Sequence, residues 1–175
     1  MVTCNAQRRT FLSTLVLVLA ACGDTGKKKV VLLPNSGLKP IRITKVSHAV
    51  GSQELLLQSM SLIGTPYRYG GSSRENGFDC SGMVQYVYKQ ALQVNLPRTA
   101  RDIAAVSAPI RKRDLQIGDL VFFNTNGQNY SHIGLYIGNG EFIHAPSSNG
   151  MIRITKLDSP YFNQRFTGAR TLFAH

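Results

Sequence analysis

Three side chains in this sequence are of the types that nucleophilic hydrolysis needs. They are a cysteine within Phe78-Asp79-Cys80-Ser81-Gly82 and two imidazoles far downstream, in Ser131-His132-Ile133 and Phe142-Ile143-His144. Sulfur attacks an acyl carbon readily, and an imidazole can take the thiol proton and return it to a leaving group. A thiol with two histidines is therefore the parts list of a cysteine-nucleophile hydrolase.

The elements that must position these groups can be read from periodicity. From Asp79 onward, Cys80, Met83, Val84, Val87, Tyr88 and Ala91 recur at helical spacing, with Asp79 placed as N-cap of a helix ending near Gln90. This puts Cys80 at a helix start, where unpaired amides and the macrodipole favour a negative sulfur; a lowered thiol pKa is expected, and the same amides can serve an oxyanion. An earlier helix over 54–63 is stopped by Gly64 and Pro66, and a second helical segment covers 99–106. Between them, Gly70-Gly71-Ser72-Ser73 forms a loop leading to the cysteine. The remainder reads as strands at 119–123, 132–137, 141–145, 151–156 and 166–173. Helices first and antiparallel strands after make an α+β domain.

In the strand 132–137, Ile133, Leu135 and Ile137 share one face, and His132, Gly134 and Tyr136 the other. The apolar face anchors the strand, so His132 is expected to look toward the helix carrying Cys80. His144 cooperates with His132 only if both point to one face. A two-residue Asn139-Gly140 turn pairs Gly138 with Glu141 and separates the histidines, whereas a three-residue Gly138-Asn139-Gly140 loop pairs Ile137 with Glu141 and brings them together. The three-residue loop is the expectation.

The chain has 175 residues, 43% hydrophobic and 17% charged, enough for one sizeable core. At its start, Arg8-Arg9 precede the apolar run 11–21, and Leu19-Ala20-Ala21-Cys22 closes it. The run is too short to span a bilayer, so residues 1–21 read as an export signal. Leu-Ala-Ala-Cys resembles the bacterial lipoprotein box, which makes Cys22 the lipidated residue and the membrane a partner through that anchor. Arg8-Arg9 also resembles a twin-arginine signal, so the export route stays open. By resemblance to enterobacterial lipoprotein sorting, Gly23 after the lipid cysteine implies delivery to the outer membrane, facing the periplasm, in a host that has an outer membrane. Residues 22–47 then form a basic tether carrying Lys27-Lys28-Lys29, Lys39, Arg42 and Lys45, in which Val30-Val31-Leu32-Leu33 is a short strand or apolar patch. The folded domain is expected over 48–175.

Of three cysteines, Cys4 lies in the leader and Cys22 is committed to lipid, leaving Cys80 alone in a compartment where structural cysteines pair. A polar, glycine-containing turn is a setting for a reactive thiol rather than for a core residue. The net charge is +11, and loss of Arg8 and Arg9 leaves +9. Outside the cytoplasm this matches anionic lipid headgroups and carboxylate-rich cell wall rather than nucleic acid. Cys80, His132 and His144 contain no close-spaced pair of zinc ligands, so neither a metal nor a cofactor is expected.

Several stretches in order carry a resemblance: Gly64-Thr65-Pro66-Tyr67-Arg68-Tyr69-Gly70-Gly71, Phe78-Asp79-Cys80-Ser81-Gly82, Leu96-Pro97-Arg98, Gly118-Asp119-Leu120, Ser131-His132-Ile133-Gly134-Leu135-Tyr136-Ile137-Gly138 and Phe142-Ile143-His144-Ala145. Together they resemble the successive motifs of the NlpC family of cell-wall cysteine endopeptidases, and with the lipoprotein leader they are most similar to its NlpC and Spr (MepS) branch. The resemblance spans residues 53–170. It implies a papain-like fold with the nucleophile helix packed on an antiparallel sheet, and hydrolysis of peptide bonds in the peptidoglycan stem or its cross-links. It also implies Cys80 as nucleophile, His132 as general base and later acid, His144 in the orienting third place and Tyr67 as a hydroxyl near the oxyanion. Arg68, Arg74, Arg98 and Arg101 offer guanidinium groups to stem-peptide carboxylates, with Arg68 and Arg98 the expected substrate-binding pair. Two other functions fit the same residues: a papain-like acyltransferase or amidase, and a catalytically silent wall-binding lipoprotein. No protein partner is evident, and the bond cut is not specified.

Overall fold

A stripe of apolar residues on the cysteine-bearing helix and five alternating strands meet as the periodicity requires. In the computed structural model, which describes residues 37–147 and 150–174, the elements run as α1 His48–Met60, β1 Ser72–Ser73, β2 Gly77–Phe78, α2 Cys80–Leu92, α3 Ala100–Val106, β3 Ala108–Ile110, a 3-10 turn Lys112–Asp114, β4 Leu120–Phe123, β5 His132–Gly138, β6 Glu141–His144, β7 Arg153–Lys156, α4 Pro160–Arg165 and β8 Phe166–Thr171. Six strands form one antiparallel sheet in the order β3-β8-β4-β5-β6-β7. The leader, Cys22 and residues 30–33 lie outside the described residues. No helix among the described residues is long and apolar enough to cross a membrane.

The sheet has two buried faces with different covers. Leu120, Phe122, Ile133, Leu135 and Ile143 pack with Leu55 of α1, with Met83, Val84, Val87 and Tyr88 of α2, and with Ile103 of α3. On the other face Val121, Phe123 and Phe142 pack with Leu157 and with Phe162 of α4. Alternation along each strand assigns every side chain to one cover or the other.

Helix α2 starts where the sequence places it. Asp79 has an extended backbone, and its carboxylate accepts from the Gly82 N–H at 2.7 Å, which satisfies a donor left open by the first helical turn. A Cβ at Gly82 would lie 2.1 Å from the Gly71 carbonyl oxygen, so only glycine lets the helix start sit against that loop. Deep in the core, the Tyr88 hydroxyl donates to the Gly118 carbonyl at 2.6 Å and ties α2 to the entry of β4.

The domain begins before the expected boundary at His48. The Ile41 N–H donates to Val106 O at 2.8 Å, the Ile43 N–H to Leu172 O at 2.7 Å, and the Ala174 N–H to Ile43 O at 3.1 Å, with Ile43 buried. Residues 41–43 of the supposed tether thus pair with the end of the chain. The alternating apolar pair Ile41 and Ile43 is their only local sign.

Strand β3, the β1-β2 pair and α4 were not foreseen. The first two have only two or three residues each. Six-residue α4 is too short to display a helical period, although Ser159-Pro160 is a start signal, since proline fits the first helical position.

Candidate active site

Two polar groups of opposite construction meet at the start of β5. On one side stands Cys80, the first residue of α2, free and half-buried. The backbone N–H groups of Ile133, Ser81 and Cys80 itself are directed to its sulfur. On the other side stands His132, the first residue of β5, 4% exposed. Both line one cleft of about 740 Å³, together with Tyr67, Asp79 and Arg98.

The expectation that His132 faces the helix bearing Cys80 is corrected. Helix α2 covers the Ile133 and Leu135 face. His132 projects from the opposite face, its ring 6.2 Å from that of Phe162 and 6.1 Å from that of Phe123. The apolar stripe of α2 takes the apolar face of β5, and the thiol at the tip of the helix reaches the start of the strand through the Ile133 amide. The two groups therefore meet around the beginning of β5, not across a shared face.

The hairpin after β5 also differs from expectation. Gly138 pairs with Glu141, and Asn139 and Gly140 have φ of 51° and 73°, so the turn has two residues. A bulge at Ile137 then shifts the register, giving Tyr136 opposite Phe142 and Leu135 opposite Ile143. The extra residue reverses the alternation, and His144 emerges on the His132 face after all. A Cβ at Gly134 would lie 2.5 Å from the Phe142 ring, so the glycine between His132 and Tyr136 lets that ring lie over the strand.

The histidines form a chain. His132 Nε2 lies 2.9 Å from His144 Nδ1, and His144 Nε2 lies 3.0 Å from Thr155 Oγ1 of β7. His132 Nδ1 is left for the thiol. If it is to accept the thiol proton, Nε2 must carry the ring proton and donate it to His144 Nδ1. His144 then carries its own proton on Nε2 and donates it to the Thr155 hydroxyl. One tautomer at His132 thus fixes the next two links. Sequence reasoning missed Thr155, whose place is set by the pairing of β7 with β6.

Electrostatics depart from the helix-start expectation. Burial pushes the Cys80 thiol up to about 11; the Asp79 carboxylate adds to the rise, and the three amides oppose it without overcoming it. Burial draws His132 down to about 4. It draws His144 down to about 2, with positive charge on His132 and Arg153 acting the same way. These shifts favour a thiol beside a neutral imidazole at neutral pH.

Asp79 holds the Cys80 side of the cleft together. Its Oδ1 accepts from the Ser81 hydroxyl at 3.1 Å and from Arg98 Nη1 at 3.0 Å, and its Oδ2 accepts from the Gly70 N–H at 3.0 Å and from Arg98 Nη2. Burial alone would raise its pKa, but the bonds from Arg98, Gly82 and Ser81 outweigh that and hold the carboxylate below its ordinary range. Arg98 is therefore committed to Asp79 and to Ser81 Oγ, at 2.9 Å, rather than standing free for a substrate carboxylate. Exposed Arg68 and Arg101 are not among the residues lining the cleft, and Arg74 is bonded to Ser61 and Tyr86. Tyr67 does line it. Its N–H donates to Gly150 O at 2.8 Å, and burial, followed by the charges of Cys80 and Asp79, raises its hydroxyl pKa. Among the described residues no group of three or more His, Cys, Asp or Glu is placed to hold a metal ion.

Residues 64–171 match the NlpC/P60 family. The chain is similar to murein DD-endopeptidase MepH of Escherichia coli K12, 46% identical over 114 residues, covering 63% of this chain and 42% of MepH. It is similar to the probable endopeptidase NlpC of the same strain, 44% identical over 116 residues, covering 66% of this chain and 74% of NlpC. Among solved structures it resembles an NLP/P60 family protein, similar to lipoprotein, from Staphylococcus aureus Mu50, with TM-score 0.65, 31% identity, and coverage of 75% of this chain and 44% of that one. The chain thus spans less than half the length of MepH.

Proposed function

The chain belongs to the NlpC/P60 family, and from that premise we propose that it is a lipid-anchored cysteine endopeptidase hydrolysing peptide bonds in the peptidoglycan stem or its cross-links, for remodelling the wall. The observation that carries this reading is the 2.9 Å contact from His132 Nε2 to His144, which leaves Nδ1 of the same ring for a thiol in the same cleft.

The chemistry follows from the neutral resting pair. His132 Nδ1 takes the Cys80 proton as the sulfur attacks the scissile carbonyl carbon. The charge that appears on the ring is stabilised by His144 Nδ1, which accepts from Nε2–H and keeps the ring in place. The amides at the α2 start and the Tyr67 hydroxyl are donors for the oxygen that becomes negative. The imidazolium then gives its proton to the departing amine, leaving a thioester on Cys80. A water deprotonated by the same nitrogen attacks the thioester, releases the acid and restores the thiol.

The proposed anchor rests on Leu19-Ala20-Ala21-Cys22, and Gly23 after it supports an outer-membrane site facing the periplasm in a host that has an outer membrane, with peptidoglycan as the macromolecular partner of this reading. Mass spectrometry of the protein from membranes tests it: a diacylglyceryl or triacyl modification on Cys22 supports the anchor, and an unmodified Cys22 overturns it.

The activity is tested with the full chain in detergent, beside Cys80→Ala, on defined muropeptide monomers and cross-linked dimers under reducing conditions. Cleavage by the wild type alone is expected, and the product masses name the bond. A folded, alkylatable wild type that cleaves neither substrate overturns the proposal.

A further inference from the structure

A second pocket, of about 320 Å³, adjoins the cleft and shares His132, Thr125 and Ser147 with it. Arg153, the cross-strand partner of His144, lines this pocket together with Thr155 and Ser159. Strand alternation puts the Arg153 and Thr155 side chains on the face that carries both histidines. Among the described residues Arg153 has no ion-pair partner, and none of the lining residues is Asp or Glu.

The pocket's hydrogen-bonding capacity is lopsided. The Ser159 hydroxyl is buried and has no partner among the described residues. In the tautomer that lets His132 act as base, Thr155 Oγ1 accepts from His144 Nε2–H, and its own proton is left to donate. A guanidinium and two hydroxyl protons therefore stand together without an anionic acceptor, and a buried donor without an acceptor is costly.

Resting on the peptidase reading, we propose that this pocket is a subsite for a carboxylate on the leaving-amine side of the substrate, bound by Arg153, Thr155 and Ser159. His132 must hand its proton to the leaving amine, so that amine stands beside the ring. The residue carrying it extends toward the space that adjoins His132 on the side away from Cys80. Diaminopimelate supplies both groups, an amine joined in the stem or cross-link and a free carboxylate. Bound there, the carboxylate offsets the Arg153 charge that opposes protonation of the histidine pair, so anchoring the substrate also favours the proton transfer.

The test uses diaminopimelate-containing muropeptide monomers and dimers with the diaminopimelate carboxylates free or amidated. Wild type should favour the free acid about tenfold in kcat/KM, mostly through KM, as expected for loss of one charge-assisted contact. Arg153→Gln should lose that preference, chiefly through a raised KM for the free acid, and Ser159→Ala should lose part of it. An unchanged preference in Arg153→Gln overturns the subsite. Calorimetry separates this from failure of the peptidase reading: with Cys80→Ala as background, adding Arg153→Gln should weaken binding of the free-acid peptide about tenfold. Equal affinities overturn the subsite whatever the turnover. A binding difference without cleavage by wild type leaves the subsite standing and removes the peptidase.

Discussion

The proposed nucleophile and the proposed base are built in opposite ways. Cys80 is placed by neighbours in sequence: Asp79 caps the helix that it begins, bonds Gly82 three residues on, and receives Ser81. His132 is placed by partners on other strands, His144 of β6 and Thr155 of β7, and by a bulge that the strand pattern does not announce. Local construction tolerates changes elsewhere in the chain. Construction by register fails when a single residue is gained or lost, because alternation then turns every later side chain over.

Deleting Ile143 should therefore have the largest effect. Tyr136 and Phe142 stay paired, His144 moves into the place opposite Leu135, and its ring is carried to the face opposite His132. Loss of the histidine contact should lower kcat by roughly 10³-fold, about 4 kcal/mol, while α2 and its cap stay in place. Turnover on muropeptides beside near-ultraviolet circular dichroism checks this. A folded deletion variant with wild-type kcat would show that the base does not depend on register.

The same contrast accounts for what the sequence made legible. The Asp79 cap, the α2 start and the Thr99 cap of α3 rest on contacts within three residues, and each is visible as a pattern. Arg98 looked like a substrate ligand because nothing in the spacing reveals that a carboxylate 19 positions away accepts both of its nitrogens. The hairpin reasoning reached the right face for His144 by the wrong loop. Counting residues in a turn says nothing of a bulge one position earlier. The thiol's pKa went the other way because a helix start supplies amides, which are local, whereas burial comes from everything packed around the sulfur.

Acid should discriminate the two regions next. His132 titrates near 4 in the fold, below the ordinary value of 6.5. Its folded pKa is depressed, so the stability associated with the neutral ring is present above pH 6.5 and is lost as pH falls through 4, where the unfolded chain already binds the proton. The loss reaches about 3 kcal/mol for such a ring. His144, drawn lower still, contributes in the same direction. Urea unfolding between pH 7 and 4 should show a decline in stability that becomes shallower in His144→Asn. A profile flat above pH 5 would contradict the neutral pair. The acid limb of kcat/KM should correspondingly lie near pH 4.

On the nucleophile side the expected losses are smaller and fall on stability. Asp79→Ala removes the cap and strands Arg98, at a cost of about 2 to 3 kcal/mol. Arg98→Ala should cost about 1 kcal/mol, since the guanidinium is partly solvated. A double-mutant cycle should give a coupling of about 1 kcal/mol between them. Additive effects would mean the pair is not a unit. A raised KM in Arg98→Ala with unchanged stability would restore Arg98 as a substrate ligand.

The smallest effect on turnover belongs to the last link of the base chain. Thr155 does not touch the reacting atoms; it holds the His144 proton on Nε2, and through that leaves Nδ1 of His144 as acceptor for His132. Thr155→Val keeps the shape and removes the oxygen, so the other His144 tautomer, with a proton on Nδ1, becomes competitive. That tautomer donates to His132 Nε2 and forces the His132 proton onto the nitrogen that should receive the thiol's. The productive arrangement then costs about 1.4 kcal/mol, or roughly tenfold in kcat. Thr155→Ser keeps the acceptor and should restore kcat. A structural role alone would not distinguish valine from serine in kcat while sparing stability. If both variants turn over like wild type, the chain of tautomers ends at His144, and the base side is shorter than its hydrogen bonds imply.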